Sequence, residues 1–362
     1  MNILIPILGF GRSGGARVLS ELANAWLRCD HKVVFLCPDS SVAPYFPTSA
    51  TILWVGVGAV PSQTRQTIAK SSWHYNLRSL IFGLKKIGFQ YDVILANHSL
   101  TAWPVALASC GSAKKVYYVQ AYEPEFSLEK NTFKGVLAAI VSAASYHLPL
   151  DRIVNSPVYF RYKNLRAKEF VPPGLDLSIF RPKGVEKDLT SAETIVIGCI
   201  GRIEPIKGTI YALRAFGELY KNDRRFLLRV AYGNLPENWN HSRCEVVVPK
   251  NDVELAQYYR SLDVLVAAGT GQHGAPHYPV LEAGACGVAI VTTGYMGATS
   301  ETAWLVNNRD VQSIVSAIRL CVLKTSDRRN RIDSFLREAE NYGWDSVAVR
   351  FISLFRQGSK HC

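Results

Sequence analysis

The chain has 362 residues, 48% of them hydrophobic and 19% charged, which excludes a disordered chain and is long enough for two domains with separate cores. The longest apolar run, 136–150, is interrupted by Ser142, Ser145 and His147 and falls short of the roughly 18 residues of a membrane span. The net charge of +12 is uneven: residues 1–175 carry 18 Lys/Arg against 9 Asp/Glu, so the first half is expected to face an anionic partner.

Apolar β-like runs alternate with helical patterns from the start. Residues 2–8 form a strand-like run, followed by the glycine loop Gly9-Phe10-Gly11-Arg12-Ser13-Gly14-Gly15 and a helical pattern over 16–27. Further β runs are expected at 32–37, 51–55, 93–96 and 116–120. The apolar N-terminus has neither a basic flank nor a small-residue cleavage site and reads as a first strand. Pro172-Pro173-Gly174 and the polar stretch 183–193 mark a boundary. The alternation then restarts, with strands at 194–200, 226–231, 245–248, 264–267 and 289–292, and helices at 208–220, 254–261 and 280–286. Residues 344–355 have helical apolar spacing. This pattern predicts an α/β protein of two doubly wound, Rossmann-like domains facing across a cleft, with ligands at the carboxyl ends of the strands.

The glycine loop matches G-x-G-x-x-G, and Asp39 ends the second strand at a spacing that suits a dinucleotide. The same loop serves equally as a tight turn, or as a nest of backbone amides for another anion, with Arg12 and Arg17 adding charge. Downstream, Gly201-Arg202-Ile203-Glu204-Pro205-Ile206-Lys207-Gly208 puts two cations on a loop between a strand and a helix. Cations at a helix N-terminus oppose the helix dipole, so Arg202 and Lys207 make better sense if an anion such as a diphosphate binds there. Glu282, in Tyr278-Pro279-Val280-Leu281-Glu282-Ala283-Gly284-Ala285-Cys286-Gly287, stands among small residues at a helix start and can accept hydrogen bonds from ribose hydroxyls. The segment 65–86 mixes Arg65, Lys70, Trp73, His74, Tyr75, Arg78, Phe82, Lys85 and Lys86. Such a mixture suits an interfacial helix on anionic lipid as well as a solvated helix with one buried face. The eight cysteines show no metal-ligand spacing, which fits a reduced, cytoplasmic compartment.

These motifs together resemble the family 4 glycosyltransferases of the GT-B fold over nearly the whole chain. The segment 201–208 resembles that family's diphosphate clamp, carried onto Arg202 and Lys207. Val171-Pro172-Pro173-Gly174-Leu175-Asp176 with Phe180-Arg181-Pro182 is similar to its interdomain crossover. The resemblance implies an N-terminal acceptor domain over 1–175, a nucleotide-sugar domain over 176–343, and a terminal helix at 344–358 returning to the first domain. It implies a sugar transferase, retaining and without metal or other cofactor, with Arg202, Lys207 and His98 in catalysis. Gly201, His273, Gly274, His277, Leu281 and Glu282 would bind the donor; Gly14, Gly15, Arg17 and Glu123 would bind the acceptor.

One position departs from the family pattern: Gly274 stands where the first Glu of an E-x7-E motif belongs. His273 and His277 flank it, and a 6-deoxy sugar such as rhamnose would offer fewer hydroxyls there. The expected partners are a nucleotide diphosphate-sugar, a glycan or lipid-linked acceptor and an anionic membrane surface. Nucleic acid is not among them. The expected location is the cytoplasm, peripheral on the inner face of the cell membrane. A sugar-nucleotide epimerase of the same fold and an NAD-dependent oxidoreductase are the rival activities.

Overall fold

The computed structural model describes residues 1–11, 13–65, 72–128, 132–184 and 187–357. Arg12, Lys70, residues 185–186 of the polar stretch and residue 358 lie outside them. The chain divides into two compact units, residues 1–174 with the segment from Trp344, and residues 175–343.

The first unit opens with β1 (Asn2–Pro6), α1 (Gly14–Arg28), β2 (Lys32–Pro38), β3 (Thr51–Val55) and α2 (Trp73–Ile87). It continues with β4 (Val93–Ala96), α3 (Ser99–Leu107), β5 (Lys114–Val119), α4 (Glu123–Leu128) and α5 (Phe133–Ser145). Two short strands, β6 (Asp151–Val154) and β7 (Glu169–Phe170), complete its sheet. Every pairing is parallel, in the order β3-β2-β1-β4-β5-β6-β7. A parallel sheet covered on both faces reads as continuous apolar runs, which is why Ile3–Ile5 and Val93–Ala96 are fully buried.

The second unit contains β8 (Ile195–Ile200), α6 (Thr209–Asn222), β9 (Phe226–Ala231), β10 (Cys244–Val247) and α7 (Asp252–Arg260). After these come β11 (Val264–Ala267), α8 (Tyr278–Ala285), β12 (Ala289–Thr292), β13 (Trp304–Leu305), α9 (Val311–Leu323) and α10 (Thr325–Ala339). Its sheet is also parallel, ordered β10-β9-β8-β11-β12-β13. Two apolar clusters accompany it, one holding Tyr259, Leu281 and Phe335, the other Phe216, Val266 and Ile318.

The last helix, α11 (Trp344–Gln357), belongs to the first unit. Its apolar stripe covers α1: Phe351 and Phe355 lie 5.6 and 5.8 Å from the Trp26 ring, and Trp26 Nε1 donates to the Ala348 carbonyl at 3.2 Å. Gly174 lets the chain pass beneath the Trp344 ring, since a Cβ there would fall 2.1 Å from Cε3.

Arg65 is not part of the α2 helix, whose first residue is Trp73, so the interfacial helix expected over 65–86 is shorter than its sequence pattern. Arg65 is bound to the protein instead: its guanidinium donates to the Asp39 carbonyl at 3.3 Å and lies 5.3 Å from the Trp54 ring. Among the described residues no helix is long and apolar enough to cross a membrane.

Phe351 is fully buried against Trp26 and Tyr118. Phe351→Ala should therefore cost about 3–5 kcal/mol of stability in denaturant unfolding followed by tryptophan fluorescence.

Candidate functional site

In each sheet the strand order reverses between two central strands, and an open α/β sheet binds ligands at the carboxyl ends of those strands. The reversal lies between β1 and β4 in the first unit and between β8 and β11 in the second. The candidate residues can be read off the loops that leave these four strands.

In the second unit, β8 ends at Ile200 and the chain turns through 201–208 into α6. Gly201 passes so close to a neighbouring loop that a Cβ would sit 1.7 Å from the Gly233 carbonyl. Gly208 has φ +71°, and a Cβ there would meet the Ala268 carbonyl at 1.9 Å. Only glycine fits either place, and both pin the loop against the end of the sheet. Thr209 ties its two ends together: its hydroxyl accepts from the Arg202 amide and donates to the Arg202 carbonyl, each at 3.0 Å.

This loop brings Arg202 and Lys207 into one cavity of about 210 Å³, which His277, Tyr278 and Thr209 also line. Among the described residues neither cation forms an ion pair. Burial, and then the nearby Arg202 charge, lower the Lys207 pKa, with Glu204 opposing only in part. Burial pushes His277 down to about 3, reinforced by Lys207 and Arg202, so its imidazole is neutral at physiological pH. Its ring stacks on Tyr295 with centroids 4.3 Å apart, and among the described residues its buried Nδ1 has no hydrogen-bond partner. The cavity thus holds two uncompensated cations and a neutral ring, a set that accommodates a polyanion.

The loop after β11 carries the other expected donor residues. Gly274 has φ +79° and Gln272 has φ +59°, a left-handed stretch that a Glu side chain at position 274 would strain. The Gly274 amide donates to the Gly294 carbonyl at 2.8 Å, and His273 Nε2 lies 3.2 Å from the Gly269 carbonyl. The structure does not bring Glu282 into the lining of the cation cavity. It is the fifth residue of α8, past the first turn rather than at the helix start, and only 2% exposed. Its carboxylate accepts from the Tyr259 hydroxyl at 2.9 Å, and burial with this adjacent carboxylate raises the Tyr259 pKa far above its ordinary value. The Leu281 side chain is fully buried in the core, so it is not exposed to a donor. Tyr259 and Tyr295, which orient Glu282 and His277, were missed because only long-range folding makes them neighbours.

In the first unit His98 caps the N-terminus of α3. Its Nδ1 accepts from the Leu100 amide at 3.1 Å, which leaves the ring proton on Nε2. Nε2 lies 3.5 Å from the Glu123 carboxylate. That carboxylate also accepts from the Ser99 amide at 2.9 Å and the Tyr117 hydroxyl at 2.9 Å. Glu123 therefore sits at the positive end of α3 and positions the imidazole. His98 and Glu123 line a cavity of about 610 Å³.

The glycine loop leads into α1 through Ser13, whose hydroxyl accepts from the Ala16 amide at 3.3 Å. Gly14 is exposed, Arg17 is half-buried, and a Cβ at Gly15 would touch the Gln120 side chain at 3.4 Å. None of these three lines the His98–Glu123 cavity. Asp39 is buried with its carboxylate accepting from Tyr75 at 3.2 Å, and it is not exposed at the loop where a dinucleotide ribose would need it. Among the described residues no group of three or more His, Cys, Asp or Glu side chains is placed to hold a metal ion.

Two parallel α/β units, each with polar residues where its strand order reverses, define a doubly wound protein with a candidate ligand site in each unit. Two family models match the chain: Glycosyltransferase Family 4 over residues 12–158 and Glycosyl transferases group 1 over residues 194–323. Among solved structures, a sucrose-phosphate synthase from Thermosynechococcus elongatus is similar with a TM-score of 0.73 at 17% identity, covering 98% of both chains. Anabaena HepE in complex with UDP gives a TM-score of 0.70 at 14% identity over 99% of this chain and 100% of that one. A D-inositol 3-phosphate glycosyltransferase from Rhodococcus opacus is 24% identical over 219 residues, 53% of this chain and 48% of that protein. The chain spans about half the length of the curated relatives it matches. It belongs to the family 4 glycosyltransferases, and its fold is GT-B.

The unpaired cations give a direct test. Lys207→Ala removes a like-charge contact, so the ligand-free variant should melt at or slightly above the wild-type temperature in calorimetry. If a nucleoside diphosphate such as UDP, GDP or dTDP raises the wild-type melting temperature by mass action, that rise should be lost in the variant.

Proposed function

We propose that the chain transfers a sugar from a nucleotide diphosphate-sugar, bound by the second unit, to a hydroxyl-bearing glycan or glycolipid acceptor bound by the first. The observation that carries this reading is the Arg202–Lys207 pair, two cations held in one cavity without an ion-pair partner among the described residues. The like-charge cost of holding them together is recovered when a diphosphate binds. It is recovered further as negative charge grows on the departing diphosphate, so the pair stabilises the transition state more than the ground state.

Arg202 fits two phosphate oxygens with its planar fork, while Lys207 acts as a point charge. The two fixed cations supply the charge that a divalent metal supplies in other transferases, which supports a metal-independent reaction. Neutral His277 offers its ring as a hydrogen-bonding wall beside the phosphates. No carboxylate lines the cation cavity among the described residues, which supports front-face transfer with retention over a covalent intermediate.

In the first unit the Glu123–His98 pair takes up the acceptor. The Nε2–H of His98 lies 3.5 Å from the Glu123 carboxylate, and a sugar or acceptor hydroxyl that enters between them can accept from Nε2 and donate to the carboxylate. The basic surface of the first half, including the exposed Arg78, Lys85 and Lys86 of α2, favours an anionic membrane nearby.

Lys207→Ala should lower turnover by several orders of magnitude in a sugar-transfer assay, with the circular dichroism spectrum unchanged. Transfer by the wild type should persist in excess EDTA. Near-normal turnover by Lys207→Ala would remove Lys207 from the mechanism, and loss of activity in EDTA would overturn metal independence.

A further inference from the structure

The first half carries 18 Lys/Arg against 9 Asp/Glu, and neither the Arg202–Lys207 cavity of the second unit nor the His98–Glu123 cavity accounts for that surplus. Part of it is concentrated between 151 and 170, where Arg152, Arg161, Lys163, Arg166 and Lys168 stand against only Asp151 and Glu169. Two strands begin in this stretch, β6 at Asp151 and β7 at Glu169, and they join β5, which begins at Lys114. The amino ends of these three strands and the last turn of α11 line a cavity of about 340 Å³. It lies at the opposite end of the sheet from His98 and Glu123, which stand past the carboxyl ends of β4 and β5.

Lys114, Arg152, Arg166 and Lys168 all line this cavity, but they are not equally satisfied. Lys114 Nζ donates to the Leu354 and Phe355 carbonyls at 2.8 and 3.2 Å, at the negative end of α11, and lies 3.5 Å from the Asp151 carboxylate. Arg152 Nη1 donates to the Leu148 carbonyl at 2.8 Å, whereas its buried Nε has no hydrogen-bond partner among the described residues. Burial, and then the Arg166 charge, lower the Arg152 pKa, with Asp151 opposing only in part. Among the described residues Arg152, Arg166 and Lys168 form no ion pair, and Glu169 is the one further carboxylate of the lining. Arg166 has φ +53°, the left-handed region that favours glycine, and yet the residue there is an exposed cation.

Solvated surface cations need no partner. A half-buried guanidinium with an unsatisfied nitrogen, beside a second guanidinium, is costly until an anion seats against both. The cavity volume falls within the range of small-molecule pockets, about 300–1,000 Å³, and leaves room for an organic body beside the half-buried Leu354. We propose that this cavity binds a soluble, phosphate-bearing small molecule through Arg152, Arg166 and Lys168, as an anion site separate from both the donor and the acceptor sites. Arg152 and Arg166 offer planar forks to the phosphate oxygens, and Lys168 adds a point charge. This site stands whether or not the second unit binds a nucleotide sugar.

The experiment titrates the full chain with pyrophosphate at low salt by calorimetry. Lys207→Ala serves as the background, so that the cation pair of the second unit does not mask the new site. To it is added either Arg166→Gly/Lys168→Gln or, as a control of equal charge, Lys85→Gln/Lys86→Gln on the exposed surface of α2. Arg166 and Lys168 are exposed and glycine suits φ +53°, so Arg166→Gly/Lys168→Gln should melt no lower than its parent. The background chain should bind one equivalent of pyrophosphate. Arg166→Gly/Lys168→Gln should weaken that binding about tenfold or more, and the α2 control should leave it within about twofold. A background chain that binds no pyrophosphate would overturn the proposal, as would equal weakening by the two double changes. So would a chain that binds vesicles of phosphatidic acid in phosphatidylcholine through Arg166 and Lys168 but takes up no soluble pyrophosphate.

Discussion

The candidate donor site depends on contacts that only glycine permits. Gly208 presses against the Ala268 carbonyl and Gly201 against the Gly233 carbonyl, so the loop after β8 has one path available to it. That path carries Arg202 and Lys207 to the same cavity at the end of the sheet. Lys207 is partly buried and stands beside the exposed Arg202; burial first, and then the like charge, lower its pKa. Glu204 offsets this lowering only in part. A site of this kind is strained electrostatically until an anion arrives, which is the condition for binding a leaving diphosphate more tightly as its charge grows.

The first unit uses the opposite strategy. Its cation-capable residue, His98, is already partnered: Leu100 fixes the tautomer and Glu123 faces Nε2. Glu123 is itself satisfied by the Ser99 amide and Tyr117. This arrangement suits orientation of a neutral hydroxyl better than capture of a phosphate. Phe126, Leu137 and Val141 stand beside the pair in the same cavity, together with Ser127, Lys134 and Ser142.

Much of the fold was legible because parallel sheets covered on both faces leave unbroken apolar runs. The strands at 51–55, 93–96, 226–231, 264–267 and 289–292 end where the sequence pattern ends. Helix starts were less legible: α8 begins at Tyr278, with Pro279 inside its first turn, so Glu282 falls deeper in the helix than its apolar neighbours indicated. Arg202 and Lys207 could be picked out because cations at a helix N-terminus conflict with local electrostatics. The burial of Glu282 against Tyr259 and the stacking of His277 on Tyr295 could not, since both pairs form only when α7 meets α8 or separate loops converge. The strongly apolar, exposed α5 was visible as a run at 136–150, but only its exposure shows that it is not core.

The central claim is that the second unit recognises the diphosphate through an uncompensated cation pair. Isothermal titration of the full chain with UDP, UMP and uridine at low and high salt tests this most directly. The account predicts that UDP binds at least about tenfold more tightly than UMP, a difference of about 1.4 kcal/mol or more, that uridine binds weakest, and that salt narrows the gap. Equal affinities for UDP and uridine, unchanged by salt, would contradict it.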